Sequence, residues 1–301
     1  MSIPIRDAAT VMLVRDADPA PGLEVFMLRR NLRSDFVGGA YVFPGGAVDD
    51  NDRHENLESV CVGRTDADAS HQLGIDRGGL AYWVAAIRES FEEAGVLLAR
   101  DATGERITFN DPAVDERFQQ HRHAVDSGAR RLVDICTDEG LQLEVDDIFY
   151  FSHWITPEGA PRRYDTRFFV ARAPVGQTPL HDDHEVIANT WVRPVDALAR
   201  HRSGTFEMLP PTIASLRAVS RFATAGEALA AATEITDVPT ILPRVIVDEG
   251  GVRIVLPGDP EYGEGYTGDG PLGRWPSVEE RSRYAVTVQG DPDRGRDAPG
   301  G

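Results

Sequence analysis

Apolar and polar positions along the chain change period several times, and each change marks an element. "AATVMLV" (Ala8 to Val14) and "LEVFMLRR" (Leu23 to Arg30) are short apolar runs joined by the turn-rich "RDADPAPG", which predicts two strands in a hairpin. "GGAYVFPGG" places another short strand between glycine pairs, ended by Pro44. From about Gly79 the period becomes helical: Trp83, Ile87, Phe91 and Ala94 or Val96 fall near one stripe, and Gly95 is the stop. That predicts one amphipathic helix over Gly79–Leu98.

Further on, "DPAVDERFQQHRHAVDSGARRLVDICTDEG" reads as two helices, and "DIFYFSHWITP", "RRYDTRFFVARAP" and "ANTWVRP" read as three strands. "PVDALARHR" and "PPTIASLRAVSRFA" supply helices. Strands interleaved with helices over about the first 220 residues predict a mixed α/β layered domain. A main domain is expected over 6–222, with a surface loop as the default for the insertion at about 53–78. A C-terminal extension is expected over 223–285, with "GEALAAATEI" as a helix and a hairpin around Glu249, Gly250 and Gly251. Residues 286–301 are polar and rich in Gly, Pro and Asp, which predicts a disordered tail.

Composition narrows the functional classes. The net charge of −18 repels nucleic-acid duplexes and anionic membranes, so a small molecule is the expected partner. No window approaches 18 uninterrupted apolar residues, and the N-terminus is charged where a signal peptide needs an apolar run, so the expected address is cytoplasmic. The two cysteines, Cys61 and Cys136, lie in no CxxC and read as free thiols. Phosphate-containing substrates remain open to so acidic a chain, because divalent cations neutralise charge locally.

Candidate chemistry sits on the predicted helix. Glu89, Glu92 and Glu93 at i, i+3 and i+4 share one face, with Arg88 beside them. Such a face is either a solvated acidic surface or a ligand set for a hard cation. Gly45 and Gly46 after a strand let backbone approach a metal or phosphate closely, or simply make a turn.

"GGAVDDND" followed by "RESFEEAGV" resembles the Nudix box. In that box a glycine, an acidic residue six positions on, and R-E-x-x-E-E-x-G form a loop–helix–loop for metal ions and diphosphates. Gly46 and Asp52 fit the first part, with aspartate where glutamate is usual. Arg88, Glu89, Glu92, Glu93 and Gly95 fit the second. The box normally has seven residues before its arginine, whereas everything from Arg53 to Ile87 intervenes here. The chain is similar to the coenzyme A diphosphatase-like, peroxisomal-type branch, which tolerates such an insertion. The similarity extends to "FSHWITPEGAPRRYDTRFFVA", "DDHEVIANTWVRPVDAL" and "MLPPT".

The resemblance implies a Nudix-type α/β/α sandwich with a mixed sheet, and an enzyme acting on phosphorus-containing anhydrides. It implies that Glu89, Glu92 and Glu93, with the Gly46 carbonyl, hold Mg²⁺ or Mn²⁺, and that Arg88 orients a glutamate. Glu185 is the candidate general base, with Asp183 and His184 as alternates. Arg162, Arg163 and Arg167 are either phosphate clamps or, for Arg163 with Asp165, an internal ion pair. Trp83, Trp154 and Trp191 are expected in the core or on sheet faces, with adenine stacking as the alternative reading. The implied reaction is metal-dependent cleavage of a diphosphate in a nucleoside-diphosphate derivative, with coenzyme A or acyl-coenzyme A as the branch substrate. ADP-ribose, nucleotide sugars or a catalytically silent binding module are the alternatives, and a homodimer is an open expectation.

Overall fold

The computed structural model describes residues 3–19, 21–31, 38–54, 56–180, 186–248, 251–257, 260–262, 269–270 and 273–274. In chain order the elements begin with β1 (Ile5–Asp16), β2 (Leu23–Arg30), β3 (Tyr41–Val42), β4 (Gly45–Ala47), α1 (Asp66–Leu73), α2 (Leu80–Ala94) and β5 (Ala99–Arg100). Next come α3 (Pro112–Asp126), α4 (Leu132–Glu139), β6 (Gln142–Leu143), β7 (Ile148–Ile155), β8 (Arg163–Arg172) and β9 (Val186–Val192). α5 (Pro194–Arg202), α6 (Pro210–Val219), α7 (Ala225–Thr233), β10 (Thr240–Ile241), β11 (Arg244–Asp248) and β12 (Gly251–Val255) follow. The tail expected over 286–301 lies outside the described residues.

β1 organises the sheet. It runs antiparallel to β2 and β4 and parallel to β8, so the sheet is mixed. β7 continues from β8, β9 lies on β2, and β10 adds parallel to β7 at the edge. The reason β1 reads as an unbroken apolar run is that both its faces are covered. Ala9, Val11 and Leu13 pack with α2, α3 and α4 on one side, while Met12 and Val14 pack with α5, α6 and α7 on the other. β8 divides likewise, Phe169 and Ala171 to the first side and Phe168 and Val170 to the second. The result is the expected α/β/α sandwich.

Three differences from the sequence reading have physical causes. α2 is buried nearly all round: only Glu89 and Glu92 of its residues are not classed as buried, because sheet, helices and the inserted segment enclose it. The insertion is not a surface loop. Leu57, Val60, Cys61, Ala69 and Leu73 join the core, and the Asp66 carboxylate accepts from the Gly78 and Leu80 N–H groups at 2.9 and 3.0 Å, capping α2, whose N-cap residue is a glycine. Residues beyond 222 also enter the sandwich: α7 contributes Ala225, Ala228 and Ala232 to the second core, and Ile241 of β10 joins them. Trp83 is core, as expected, its indole N–H donating to the Ile148 carbonyl at 2.9 Å.

Candidate active site

β4 and α2 meet at van der Waals limits. A Cβ on Gly46 would lie 2.4 Å from Glu89 Oε1, and one on Gly45 would lie 2.6 Å from the Ala9 carbonyl of β1. Only glycines let the strand pass this closely between β1 and the glutamates. The Gly45 N–H then donates to Glu93 Oε2 at 2.9 Å, fixing the direction of that carboxylate.

Arg88 sits at the centre. Asp52 receives it in a two-pronged pair, Nε to Oδ1 at 2.9 Å and Nη2 to Oδ2 at 3.0 Å. Nη1 reaches Glu89 Oε1 at 2.9 Å and Glu92 Oε2 at 2.8 Å, and Nη2 also donates to the Ala47 carbonyl at 2.8 Å. The two distant halves of the motif thus share one guanidinium. Asp52 is itself held by the Asp49 N–H at 2.8 Å and is 1% exposed.

Electrostatics here are unbalanced, with four carboxylates clustered around one guanidinium. Burial pushes the Glu89 carboxyl well above its ordinary range against the pull of Arg88, and Glu92 adds to the rise. Glu92 is pushed up to about 7, again by burial and against Arg88. Asp52 is raised by burial, which outweighs the opposing hydrogen bond and charge of Arg88. Among the described residues no three carboxylate, imidazole or thiolate groups form a ready-made metal cage, since the glutamates are tied to Arg88 and Gly45. The donor set nevertheless fits a hard divalent cation: it is all oxygen, in excess of the local positive charge, and beside a glycine backbone that can come close.

Glu89, Glu92 and Glu93 open into a cavity of about 610 Å³. Asp49 and Asp126 also line it, and the sequence reading missed both. Asp49 stands within the quoted glycine motif; nothing local marks Asp126, at the end of α3. Trp154 reaches the cavity through a bulge at Phe151, where pairing shifts from Tyr150 opposite Phe169 to Ser152 opposite Phe168. The indole N–H donates to Ser152 Oγ at 2.9 Å.

Of the three candidate arginines, Arg162 lines the cavity. Arg163 donates instead to the Thr156 carbonyl at 3.0 Å. Arg167 is buried beneath the Tyr82 ring and pairs with Asp165, which also bonds His153, so the expected Arg163–Asp165 pair is replaced by an Arg167–Asp165–His153 cluster. Trp191 lies on the sheet face under the Arg15 guanidinium, 4.0 Å from the ring centre. Glu185, Asp183 and His184 lie outside the described residues.

Residues 65–219 match the family model of the NUDT19 Nudix domain. A protein named Acyl-coenzyme A diphosphatase NUDT19 from Homo sapiens is 26% identical over 281 residues, covering 81% of this chain and 73% of that protein. Its namesake from Gallus gallus is 27% identical over 312 residues, covering 88% and 82%. The crystal structure of a NUDIX hydrolase from Alicyclobacillus acidocaldarius aligns at a TM-score of 0.62 with 28% identity, covering 76% of this chain and 96% of the other. With the family model spanning just over half of its length, the chain belongs to the NUDT19 Nudix domain family and is a Nudix hydrolase, an enzyme that cleaves diphosphate linkages.

Proposed function

We propose that this enzyme hydrolyses the diphosphate of coenzyme A or an acyl-coenzyme A, with Mg²⁺ or Mn²⁺ held by Glu89, Glu92, Glu93 and the Gly46 carbonyl. Nudix hydrolases generally act with divalent metal ions. The observation that carries the reading is the surplus of carboxylate around Arg88, of which Glu89 and Glu92, half-buried, face a cavity large enough for a sizeable ligand. Relatives named as acyl-coenzyme A diphosphatases, aligned over about four-fifths of the chain, support the substrate.

When bound, the cation neutralises phosphate charge and lowers the pKa of water. The chain's own residues do the rest. Arg88 fixes Glu89 and Glu92 in place through Nη1, and Asp52 holds Arg88 from behind. Glu93 is aimed by the Gly45 N–H. Arg162, on the cavity wall, offers charge to the phosphates. Glu185 takes the proton of the attacking water. Water adds at one phosphorus, the bridging P–O bond breaks, and the products are 3′,5′-ADP and a 4′-phosphopantetheine fragment.

The test is a substrate panel of coenzyme A, dephospho-coenzyme A, ADP-ribose and a nucleotide sugar, each with Mg²⁺ and Mn²⁺. The expected result is metal-dependent release of 3′,5′-ADP, with a lower kcat/KM for dephospho-coenzyme A. Unchanged or faster turnover without the 3′-phosphate overturns the coenzyme A assignment. No metal-dependent cleavage of any diphosphate overturns the catalytic reading.

A further inference from the structure

The sheet strands that line the cavity carry a charged underside. Along β8, Tyr164, Thr166 and Phe168 line the cavity, while Asp165 and Arg167 between them lie on the opposite, α2 side, where Arg167 meets the Tyr82 ring at 5.2 Å. β7 alternates in the same way: Trp154 lines the cavity, and His153 before it pairs with Asp165. Asp165 thus joins His153 and Arg167, both buried, and Arg167 Nε has no hydrogen-bond partner among the described residues. Charges so enclosed resist rearrangement, because breaking one contact leaves another buried charge unpaired.

One contact leads from this cluster to the chain past residue 219, where the match to the family model stops. Thr240 Oγ1 of β10 lies 2.9 Å from His153 Nδ1. β10 is a ladder of two residues, Thr240 opposite His153 and Ile241 opposite Trp154. Alternation places Ile241 in the core on the other face of the sheet, and Pro243, two positions further on, lines the cavity. So short a ladder at a sheet edge has little backbone hydrogen bonding of its own to keep it closed.

We propose that His153 and Thr240 are positioning residues for the hydrolase. The buried Asp165–Arg167 pair fixes His153, His153 holds β10 on the sheet edge through the Thr240 hydroxyl, and β10 sets Pro243 in the cavity wall. Both side chains lie on the face of the sheet away from the cavity, so they act on how well the substrate is held and not on the bond that breaks. The inference rests on the diphosphate-hydrolase reading for its kinetic arm alone.

The test uses the full chain carrying Thr240→Val, which keeps the shape and loses the hydroxyl, Thr240→Ser, which keeps the hydroxyl, or His153→Leu. Two readouts are taken: hydrogen–deuterium exchange over 240–247 and over β1, and kcat and KM with Mg²⁺ for coenzyme A or, where the parent cleaves only that, for ADP-ribose. Thr240→Val is expected to speed exchange over 240–247 by about tenfold while leaving β1 unchanged. KM should rise by about threefold or more with kcat held within about twofold, the mark of lost binding and not of lost chemistry. Thr240→Ser should restore both readouts. In the His153→Leu background, Thr240→Val should shift KM by less than about 1.5-fold further, since the two residues form one contact. Unchanged exchange over 240–247, an equal rise in β1, a loss in kcat alone, or Thr240→Ser no better than Thr240→Val overturns the proposal. Should His153→Leu fail to fold, the two Thr240 variants decide. If the parent cleaves neither substrate the hydrolase reading fails, and the exchange readout still decides whether the Thr240 hydroxyl holds β10.

Discussion

Asp52 and Arg88 form a two-pronged ion pair across 36 positions of chain, at 2.9 and 3.0 Å, with both side chains almost fully enclosed. The pair closes the gap between the glycine strand and the glutamate helix. Removing one partner of such a pair strands the other charge, which typically costs about 3–5 kcal/mol. Asp52→Ala is therefore expected to lower unfolding free energy in urea by about 3 kcal/mol and to lower kcat, because Arg88 also positions Glu92. A loss below about 1 kcal/mol would show that Arg88 is held adequately by the remaining carboxylates.

Glu93→Gln keeps an oxygen for the Gly45 N–H but removes the charge facing the cavity. Turnover is expected to fall by more than about 10²-fold, beyond the loss of a modest acid–base contribution, with the melting temperature little changed. Activity within about threefold of the parent at saturating Mg²⁺ would remove Glu93 from the metal site.

Adding one methyl at either of two adjacent glycines should have different consequences. At Gly46 it meets the Glu89 carboxylate at 2.4–2.8 Å, a side-chain end that can swing away. Gly46→Ala is thus expected to reduce kcat more than stability. At Gly45 it meets the β1 backbone, at 2.6 Å from the Ala9 carbonyl and 2.7 Å from the Thr10 Cα, which cannot. Gly45→Ala should lower the melting temperature markedly, and similar melting curves for the two variants would contradict the close-approach argument.

Asp66, in the insertion, caps the end of α2 remote from the glutamates. Asp66→Ala is expected to cost about 1–2 kcal/mol in chemical denaturation, a normal value for a lost cap, with kcat/KM held within about twofold. A large kcat loss at unchanged stability would mean that the insertion acts on the chemistry directly.

Burial pushes the thiols of Cys61 and Cys136 up to about 12. At pH 8 neither carries appreciable thiolate, the reactive form, and both are enclosed. Ellman's reagent should therefore report almost no thiol in the native protein and both thiols in guanidinium chloride. Rapid labelling of the native protein would show that the insertion opens around Cys61.

Much of the scaffold was local and thus legible in the sequence. β2 spans Leu23–Arg30 as read, and Gly95, at φ 66° in the left-handed region, stops α2 at the glycine the pattern marked, so the helix ends at Ala94 and not at the expected Leu98. The i, i+3, i+4 spacing put three glutamates on one face because helix geometry alone does that. Long-range relationships were not legible, since no local rule encodes them. The parallel partnership of β1 with β8 joins segments separated by more than half the chain, and the two-residue ladder of β5 and β6 is too short to leave a period. Insertion residues Leu57 and Val60 resembled a loop because they pay their way only against a core assembled from α2, α3 and α4. The sequence alone determined which side chains were available for the chemistry. Only tertiary structure decided that Asp52 meets Arg88, that a bulge turns Trp154 into the cavity, and that Pro243 and Ile254 help enclose it, because those outcomes depend on packing between segments that chain order keeps apart.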